Sequence, residues 1–179
     1  MKVRALLLDR DDTLNEDPGY INDPGLVRLL PGVASGLERL REAGFKFYVL
    51  TNQSGISRGM ISSEQLERVH ARLSGLLGDH GIRIEKFYVC PHRDEDGCSC
   101  RKPRPGLVDV FLRENQYATP DCFIIGDKLR DIQAGEQAEI RGILLESGGR
   151  PPSGADPKNL VFRAPDLETA AAFILSLEK

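Results

Sequence analysis

Short apolar runs alternate with amphipathic segments from one end of the chain to the other, and few folds accommodate that pattern. The runs are apolar at nearly every position rather than at alternate ones, as in strands that are buried on both faces. The predicted strands are 5–8, 46–50, 86–90, 122–125, 142–145 and 160–163. Together with the intervening helices they indicate an α/β fold with a doubly wound parallel sheet. No linker or repeat divides the chain, so we expect one domain over residues 1–179.

Local signals define the helices between these strands. Pro31 and Gly32 precede an apolar stripe that Gly44 closes, and Ser62 with Gln65 is typical of a capping box at the start of the next helix. Further helices are predicted at 107–116, 130–138 and 166–177. The segment 147–159, rich in Gly and Pro, is predicted to be a surface loop.

Charge and composition exclude several classes of partner. The formal net charge of -3 provides no basic surface for nucleic acid or an anionic membrane. No apolar run approaches the ~20 residues that span a bilayer, and the N-terminus lacks a signal-peptide pattern. We therefore expect a cytoplasmic monomer that acts on a small molecule. In that compartment the 4 cysteines are metal ligands or reduced core residues rather than disulfides.

Chemically reactive side chains follow four of the predicted strands. Because the carboxyl ends of parallel strands meet at one edge of a sheet, we expect these side chains to converge there. A threonine after a strand is usually a turn residue and a lysine is usually solvated. Four such sets, each directly after its own strand, strongly indicate a functional site. In chain order the residues are Asp9 and Asp11, Thr51 and Asn52, Arg101 and Lys102, and Asp127 and Lys128 followed by Asp131.

This set fits phosphoryl transfer through a carboxylate nucleophile. Asp9 would attack phosphorus and form an aspartyl-phosphate. Asp11 would protonate the leaving oxygen and then take a proton from the attacking water. Thr51 and Lys102 would bind the phosphoryl oxygens, where charge spreads in the transition state. Because a carboxylate and a phosphate repel, a cation must bridge them, and Mg²⁺ suits the oxygens of Asp9, Asp127 and the Asp11 backbone carbonyl.

Four motifs resemble those of the haloacid dehalogenase superfamily of phosphatases, occur in its order and cover most of the chain. They are DRDDT (9–13), LTN (50–52), RKP (101–103) and GDKLRD (126–131). The resemblance implies the same fold, a Mg²⁺ cofactor and the aspartyl-phosphate route.

The chain departs from this superfamily at Asp12, where glycine usually follows the second acid. Glycine there permits a tight left-handed turn, and Asp and Asn are the other residues that tolerate that conformation best. We therefore interpret Asp9 and Asp11 as catalytic and Asp12 as a turn residue. The alternative is that the Asp12 carboxylate weakens phosphate binding by repulsion.

The segment CPHRDEDGCSC (90–100) carries a second metal pattern. Three thiols and one imidazole can close a tetrahedral zinc site, and such a site leaves no position open for substrate. We expect structural zinc that holds the loop delivering Arg101 and Lys102, although reduced cysteines and a loop histidine are the alternative. The predicted ligands are Cys90, His92, Cys98 and Cys100. Cys122, which stands alone before a strand, is predicted to be a core residue.

Neither the interval between Asp9 and Thr51 nor the zinc loop is long enough for a cap domain, so loops 16–21 and 52–59 must shape the pocket. These loops are similar to those of the heptose 1,7-bisphosphate 7-phosphatases, a bacterial branch that feeds lipopolysaccharide synthesis. The histidinol-phosphate phosphatases share the zinc loop and are the second candidate. By resemblance, Arg101 would bind the second phosphate of the sugar. The other expected substrate contacts are Asp17, Gly19, Tyr20, Asn52, Gln53, Ser54 and Lys128.

Two alternatives belong to other functional classes. A receiver-like phospho-switch also uses acids, a Thr and a Lys on a parallel sheet, but it has no counterpart of the zinc loop. A zinc-held binding module explains the cysteines but not the acids. Mg²⁺-dependent release of phosphate with turnover separates an enzyme from both.

Overall fold

A six-stranded parallel sheet forms the centre of the computed structural model, which describes residues 4–146 and 154–177. The strands are Arg4–Leu8 (β1), Phe45–Asn52 (β2), Ile84–Cys90 (β3), Cys122–Gly126 (β4), Arg141–Leu145 (β5) and Leu160–Ala164 (β6). Their order across the sheet is β3-β2-β1-β4-β5-β6, and every neighbouring pair is parallel. The predicted doubly wound sheet is confirmed, and each predicted strand lies within an observed one.

The helices follow the local signals in the sequence. Their bounds are Val33–Glu42 (α1), Ser63–Gly78 (α2), Gly106–Asn115 (α3), Leu129–Gln133 (α4) and Leu167–Ser176 (α5), with short 3-10 helices at Pro24–Leu26, Asp94–Asp96 and Thr119–Asp121. The capping box of α2 is confirmed, since Ser62 Oγ accepts from the Gln65 amide at 3.1 Å and the Ser62 amide donates to Gln65 Oε1 at 2.8 Å. Gly32, at φ 78°, is the left-handed residue before α1.

Side chains that alternate along β1 supply both faces of the core. Leu6 and Leu8 pack with α1, α2 and α5, whereas Ala5 and Leu7 pack with α3 and α4 on the other face. All four side chains are fully buried. The central strands are apolar throughout because helices cover both sides of the sheet.

The strand order reverses at β1, which lies between β2 and β4. Ligands of open α/β sheets bind beyond the carboxyl ends of the strands at such a switch point. Asp9 directly follows β1 and Asp127 directly follows β4. The backbone amide of Asp9 also donates to the carbonyl of Ile125 at 2.9 Å, which joins the two strand ends. The topology therefore brings the two acids to one place.

The predicted helix 130–138 is wrong in length, because α4 ends at Gln133 and turns follow. Gly135 has low helix propensity, and its amide bonds to the carbonyl of Ile132, three residues back, at 3.0 Å. Glu139 then adopts a left-handed φ of 54°. Of the predicted loop 147–159, residues 147–153 lie outside the described residues, and 154–159 form no helix or strand.

The described segments beside the sheet are short. Between β1 and β2 the chain forms one 3-10 helix and α1, and the segment between β3 and α3 holds a second 3-10 helix. Neither described segment adds a layer that could serve as a cap. In the described ranges, none of the helices has the length and apolarity needed to cross a membrane.

Candidate active site

Lys102 is the cation at the centre of a buried charge cluster at the carboxyl edge of the sheet. Its Nζ donates to Asp9 Oδ1 at 2.8 Å and to the Leu50 carbonyl at 2.6 Å, and lies 2.8 Å from Asp131 Oδ1. Burial by itself lowers the pKa of Lys102, but Asp131 and Asp9 raise it above its ordinary value. Lys102 is therefore a charged group held beside the predicted nucleophile.

The side chain of Asn52 holds the backbone of Lys102 in place. Asn52 Nδ2 donates to the Lys102 carbonyl at 3.1 Å, and the Lys102 amide donates to Asn52 Oδ1 at 3.1 Å. The nitrogen and the oxygen of the Asn52 side-chain amide thus both bond to the backbone of the loop that follows β3. Asn52 is a positioning residue in this arrangement, and its predicted contact with substrate stays a prediction.

Asp9, Asp127 and Asp131 form a group of acids whose carboxylate oxygens lie within 4.8 Å of one another. Burial raises the pKa of Asp127 to about 6, with Asp9 and Asp131 adding to the effect, and burial also raises the pKa of Asp131. Asp127 Oδ1 is buried and has no hydrogen-bond partner among the described residues. An oxygen without a donor in a group of carboxylates fits a site for a hard divalent cation.

The sequence predicts Asp9, Asp127 and the Asp11 backbone carbonyl as metal ligands but no role for Asp131. Asp131 lies in the first turn of α4, where its Oδ2 accepts from the backbone amide of Lys128 at 3.0 Å. Its position four residues after Asp127 in the GDKLRD motif, one helical turn away, was the signal that pointed to it.

The carboxylate of Asp11 is not part of that acid group and instead accepts hydrogen bonds from three side chains. Arg10 donates through Nε to Oδ1 at 2.9 Å and through one terminal nitrogen to Oδ2 at 2.8 Å. Gln53 Nε2 donates to Oδ2 at 2.9 Å, and Asn15 Nδ2 donates to Oδ1 at 3.2 Å. The predicted role of Asp11 at the metal uses its backbone carbonyl and stays a prediction.

Thr51 is joined to Asp11 through Gln53. The Nε2 atom of Gln53 donates to Thr51 Oγ1 at 2.8 Å as well as to Asp11. Thr51 is buried near the end of β2, which extends beyond its predicted boundary because Thr51 and Asn52 pair with β3. The predicted phosphate-binding hydroxyl and the predicted acid/base therefore share one donor.

Asp12 adopts the left-handed conformation predicted for it, with φ 57°. Its amide donates to the Asn15 carbonyl at 2.8 Å, and its Oδ1 accepts from the amide of Asp17 at 3.2 Å. Asp12 also lines a cleft of about 460 Å³ with Glu16, Asp17 and Arg28. The interpretation as a turn residue is confirmed, whereas repulsion of a phosphate remains untested.

The loops 16–21 and 52–59 meet at Tyr20. A Cβ added to Gly55 would lie 2.7 Å from Tyr20 Cδ1, so the Tyr20 ring lies directly on that glycine. Gly19, at φ 93°, donates its amide to Asp17 Oδ1 at 2.9 Å and shapes the turn before the ring. Ser54 belongs to the same loop as Gly55, and its carbonyl accepts from the amide of Arg58 at 3.0 Å. The contacts of these residues with substrate stay predictions.

Lys128 lies next to the acid group on the side of β4. Its Nζ donates to Asp127 Oδ2 at 2.7 Å, and its side chain is 43% exposed. Burial lowers the pKa of Lys128, but Asp127 raises it above its ordinary value overall. The charge is thus both anchored and accessible to a ligand.

The four predicted zinc ligands converge after β3. Cys90 Sγ lies 3.6 Å from His92 Nδ1 and 3.6 Å from Cys98 Sγ, and Cys100 Sγ lies 3.3 Å from His92 Nδ1 and 3.6 Å from Cys98 Sγ. A tetrahedral zinc ion with Zn–S bonds of about 2.3 Å requires ligand atoms about 3.8 Å apart. The donor set and spacing therefore fit Zn²⁺. Cys122 is buried elsewhere, with Sγ 3.6 Å from the Ala118 carbonyl, as predicted for a core residue.

Arg101 bonds to two residues of the zinc loop and directly precedes Lys102 in the sequence. Its Nε donates to Asp94 Oδ1 at 2.5 Å, and one terminal nitrogen donates to the His92 carbonyl at 3.1 Å. The hydrogen bond from Arg101 holds the pKa of Asp94 below its ordinary value. The guanidinium is largely buried while Asp94 is 78% exposed, so the ion pair opens to solvent on the Asp94 side.

Comparison with known proteins supports the assignment of these motifs. Residues 99–170 match the family described as HAD-hydrolase-like. The chain is 34% identical to the D-glycero-beta-D-manno-heptose-1,7-bisphosphate 7-phosphatase of Pasteurella multocida, over 83% of this chain and 84% of that protein. It is 33% identical to the enzyme of that name from Escherichia coli, over 97% of this chain and 90% of the relative.

A solved structure agrees over the whole fold. The D,D-heptose 1,7-bisphosphate phosphatase of B. bronchiseptica, complexed with magnesium and phosphate, superimposes with a TM-score of 0.88 at 29% identity. The match covers 98% of this chain and 99% of that one. The chain therefore belongs to the haloacid dehalogenase-like phosphatases, in the family of the D-glycero-D-manno-heptose-1,7-bisphosphate 7-phosphatases.

Proposed function

We propose that this chain removes the 7-phosphate of D-glycero-D-manno-heptose 1,7-bisphosphate in the supply of heptose precursors for lipopolysaccharide. The observation that carries the proposal is the position of Lys102, whose Nζ lies 2.8 Å from Asp9 Oδ1 in a buried cluster. A phosphoryl group that reached Asp9 would meet this cation. The names of the relatives supply the substrate.

The first step transfers the phosphoryl group to the protein. A carboxylate oxygen of Asp9 attacks phosphorus and forms the new P–O bond, while the bond from phosphorus to the sugar oxygen breaks. Asp11 gives its proton to the departing oxygen. Lys102 and the Thr51 hydroxyl bind the remaining phosphoryl oxygens, on which negative charge accumulates. The sugar leaves with a free hydroxyl at this position.

The second step releases phosphate. Water attacks the phosphorus of the aspartyl-phosphate, Asp11 takes a proton from that water, and the bond from phosphorus to Asp9 breaks. Asp11 thus serves as acid and then as base, and the protein returns to its starting state.

Asp9, Asp127 and the backbone carbonyl of Asp11 would hold the magnesium ion, with Asp131 beside them. When bound, the ion offsets the repulsion between the carboxylates and the phosphate. The buried Asp127 Oδ1, which has no donor in the described part of the chain, supports this assignment. The B. bronchiseptica phosphatase, solved as a complex with magnesium and phosphate, supports magnesium as the ion.

Arg101 and Lys128 would favour a substrate with a second phosphate remote from the reacting one. The Arg101 guanidinium already binds a carboxylate, that of Asp94, at 2.5 Å, so its geometry suits an anionic oxygen. In this proposal the remote phosphate replaces Asp94 as the partner of Arg101. Binding energy gained there orients the reacting phosphate beside Asp9.

One observation favours histidinol phosphate as a second candidate. The cleft of about 460 Å³ beside the active-site loop contains the carboxylates of Asp12, Glu16 and Asp17. A cationic amine would find opposite charge there, whereas Arg101 and Lys128 would repel it. The two substrates therefore test which set of charges governs specificity.

The experiment measures kcat/KM for both anomers of heptose 1,7-bisphosphate and for histidinol phosphate, with Mg²⁺ present. A charge-assisted contact is worth roughly 1.5–3 kcal/mol, so we expect the better anomer to exceed histidinol phosphate by at least about tenfold. Arg101→Ala should reduce this preference more than it slows a sugar monophosphate, whereas Arg113→Ala, at an exposed position of α3, should not. Comparable kcat/KM values for the two substrates would contradict the proposal.

A further inference from the structure

Arg10 is a charged side chain enclosed in the protein interior. It is 1% exposed and is among the largest fully buried side chains of the described chain. A buried charge is costly unless it is paired, and the carboxylate paired with Arg10 in the described residues is that of Asp11, with an N–O distance of 2.7 Å. The established motif explains Asp9 and Asp11 but gives no role to the residue between them.

The contact between Arg10 and Asp11 depends on a turn. Neighbouring side chains on a strand point to opposite faces, so adjacent residues do not normally pair in this way. Here the Arg10 carbonyl accepts from the amides of Leu14 at 2.8 Å and Asn15 at 3.2 Å, and the chain bends immediately after β1. The bend allows the guanidinium to reach both oxygens of Asp11.

Arg10 orients Asp11 more completely than its other partners do. Nε lies 2.9 Å from Oδ1, and one terminal nitrogen lies 2.7 Å from Oδ1 and 2.8 Å from Oδ2, whereas Gln53 and Asn15 each donate to a single oxygen. Charge-assisted contacts to both oxygens restrict the rotation of a carboxylate as well as its position. Arg10 is therefore the residue best placed to determine the direction in which Asp11 points.

The charge of Arg10 acts on one nearby titratable side chain, His70. His70 on α2 stacks on Phe87 with ring centroids 4.1 Å apart. Burial, and then the charge of Arg10, lowers the pKa of His70 to about 3. The imidazole is thus uncharged at neutral pH and does not add a second positive charge near Arg10.

We propose that Arg10 is a positioning residue that aims the Asp11 carboxyl group at the oxygen of the leaving group. The inference rests on the proposed role of Asp11 as the acid in the first step. A misplacement of about 1 Å can cost on the order of a hundredfold in rate. The loss should fall on substrates whose leaving groups need a proton, and should spare those whose leaving groups depart as stable anions.

The test measures kcat/KM for a series of substituted phenyl phosphates whose leaving groups differ in basicity. This parameter covers the steps up to departure of the leaving group, where Asp11 acts as acid. The slope of log kcat/KM against leaving-group pKa measures how strongly the rate depends on the basicity of the leaving group, which protonation by Asp11 reduces. An inactive fraction of a variant lowers every rate equally and leaves this slope unchanged. A merely structural role for Arg10 would therefore not change the slope.

The variants are Arg10→Met, which keeps bulk but removes the donors, and Arg10→Lys, which keeps charge but removes the fork and serves if Arg10→Met does not fold. Asp11→Asn is the reference without the acid. Arg141→Met is the matched control, because this arginine lies at the opposite end of the sheet, where it donates to the Pro120 carbonyl and covers the Phe123 ring at 4.0 Å.

We expect Arg10→Met to steepen the slope toward that of Asp11→Asn, with about tenfold more loss for the most basic leaving group than for the least basic. Arg141→Met should retain the wild-type slope. A steep slope for Asp11→Asn together with wild-type slopes for both Arg10 variants would overturn this inference alone. An unchanged slope in Asp11→Asn would overturn the proposed acid itself, and the inference with it.

Discussion

Nζ of Lys102 lies 2.8 Å from Oδ1 of Asp131, and these two side chains, each 2% exposed, form a buried ion pair that Lys102 also shares with Asp9. Breaking one partner of a buried pair leaves uncompensated charge. We predict that Asp131→Asn lowers the free energy of unfolding by roughly 3 kcal/mol, measured by urea denaturation without added Mg²⁺ so that magnesium does not contribute. Asp109→Asn, on the exposed face of α3, is the control and should change it little. An unchanged midpoint and slope for Asp131→Asn would show that this pair contributes nothing to stability.

His70 makes the stability of the protein depend on pH. Its pKa falls from 6.5 to about 3 in the folded protein because the ring is buried. The unfolded chain therefore binds a proton below pH 6.5 that the folded chain does not bind until about pH 3. The stability that comes from a neutral His70 is complete above this window and is lost as the pH falls through it.

We predict that the stability advantage of the wild type over His70→Phe shrinks as the pH is lowered from 7 to 4. The change should approach about 1.4 kcal/mol per pH unit at the lower end. Phenylalanine keeps the stacking on Phe87 and removes the titrating group, so the difference isolates this histidine. Parallel stability curves for the two proteins over this range would contradict the prediction.

Zinc should copurify at about one ion per chain and should stabilise the loop after β3. We predict that Cys98→Ser loses the metal, lowers Tm and lowers activity, because the loop positions Arg101 and Lys102. Cys122→Ser is the matched control. Cys122 is buried outside the zinc loop, so this variant should leave the zinc content unchanged. Metal analysis that finds no zinc in freshly purified wild-type protein would rule out the site.

Asp12 should be replaceable by glycine without loss of activity. At φ 57° glycine has no steric penalty, and removing the carboxylate also removes negative charge near the phosphate site. We predict that Asp12→Gly has equal or higher kcat/KM and nearly unchanged stability, whereas Asp12→Ala costs about 1 kcal/mol in the same conformation. A large loss of Mg²⁺ affinity in Asp12→Gly, measured by titrating activity with the ion, would instead make Asp12 a ligand.

The sheet and most of the acids were predictable because their signals are local. Residues 5–8 and 122–125 read as continuous apolar runs since helices cover both faces, and the acids follow the strands directly. The end of α4 was not predictable from periodicity. Its apolar pattern continues, but Gly135 and the left-handed Glu139 turn the backbone out of the helix.

The roles of Arg10 and Asp131 depend on contacts that the spacing of residues in the sequence does not predict. The contacts from Arg10 to both oxygens of Asp11 form because the chain bends after β1, since adjacent side chains on a strand point to opposite faces. The role of Asp131 requires Lys102 to arrive from a separate strand end, held there by Asn52. The sequence motifs identified the segments that contain these residues, but they did not show that Arg10 pairs with Asp11 or that Asp131 pairs with Lys102.

Trapping the phosphorylated intermediate shows whether Asp9 carries the phosphoryl group. Enzyme mixed with substrate and Mg²⁺ is quenched in acid, reduced with borohydride and digested, and the peptide containing Asp9 is analysed by mass spectrometry. Borohydride converts an aspartyl-phosphate to homoserine. We predict homoserine at position 9 in the wild type and none in Asp9→Asn, which should also lack turnover. Modification at another carboxylate, or near-normal turnover in Asp9→Asn, would contradict the account.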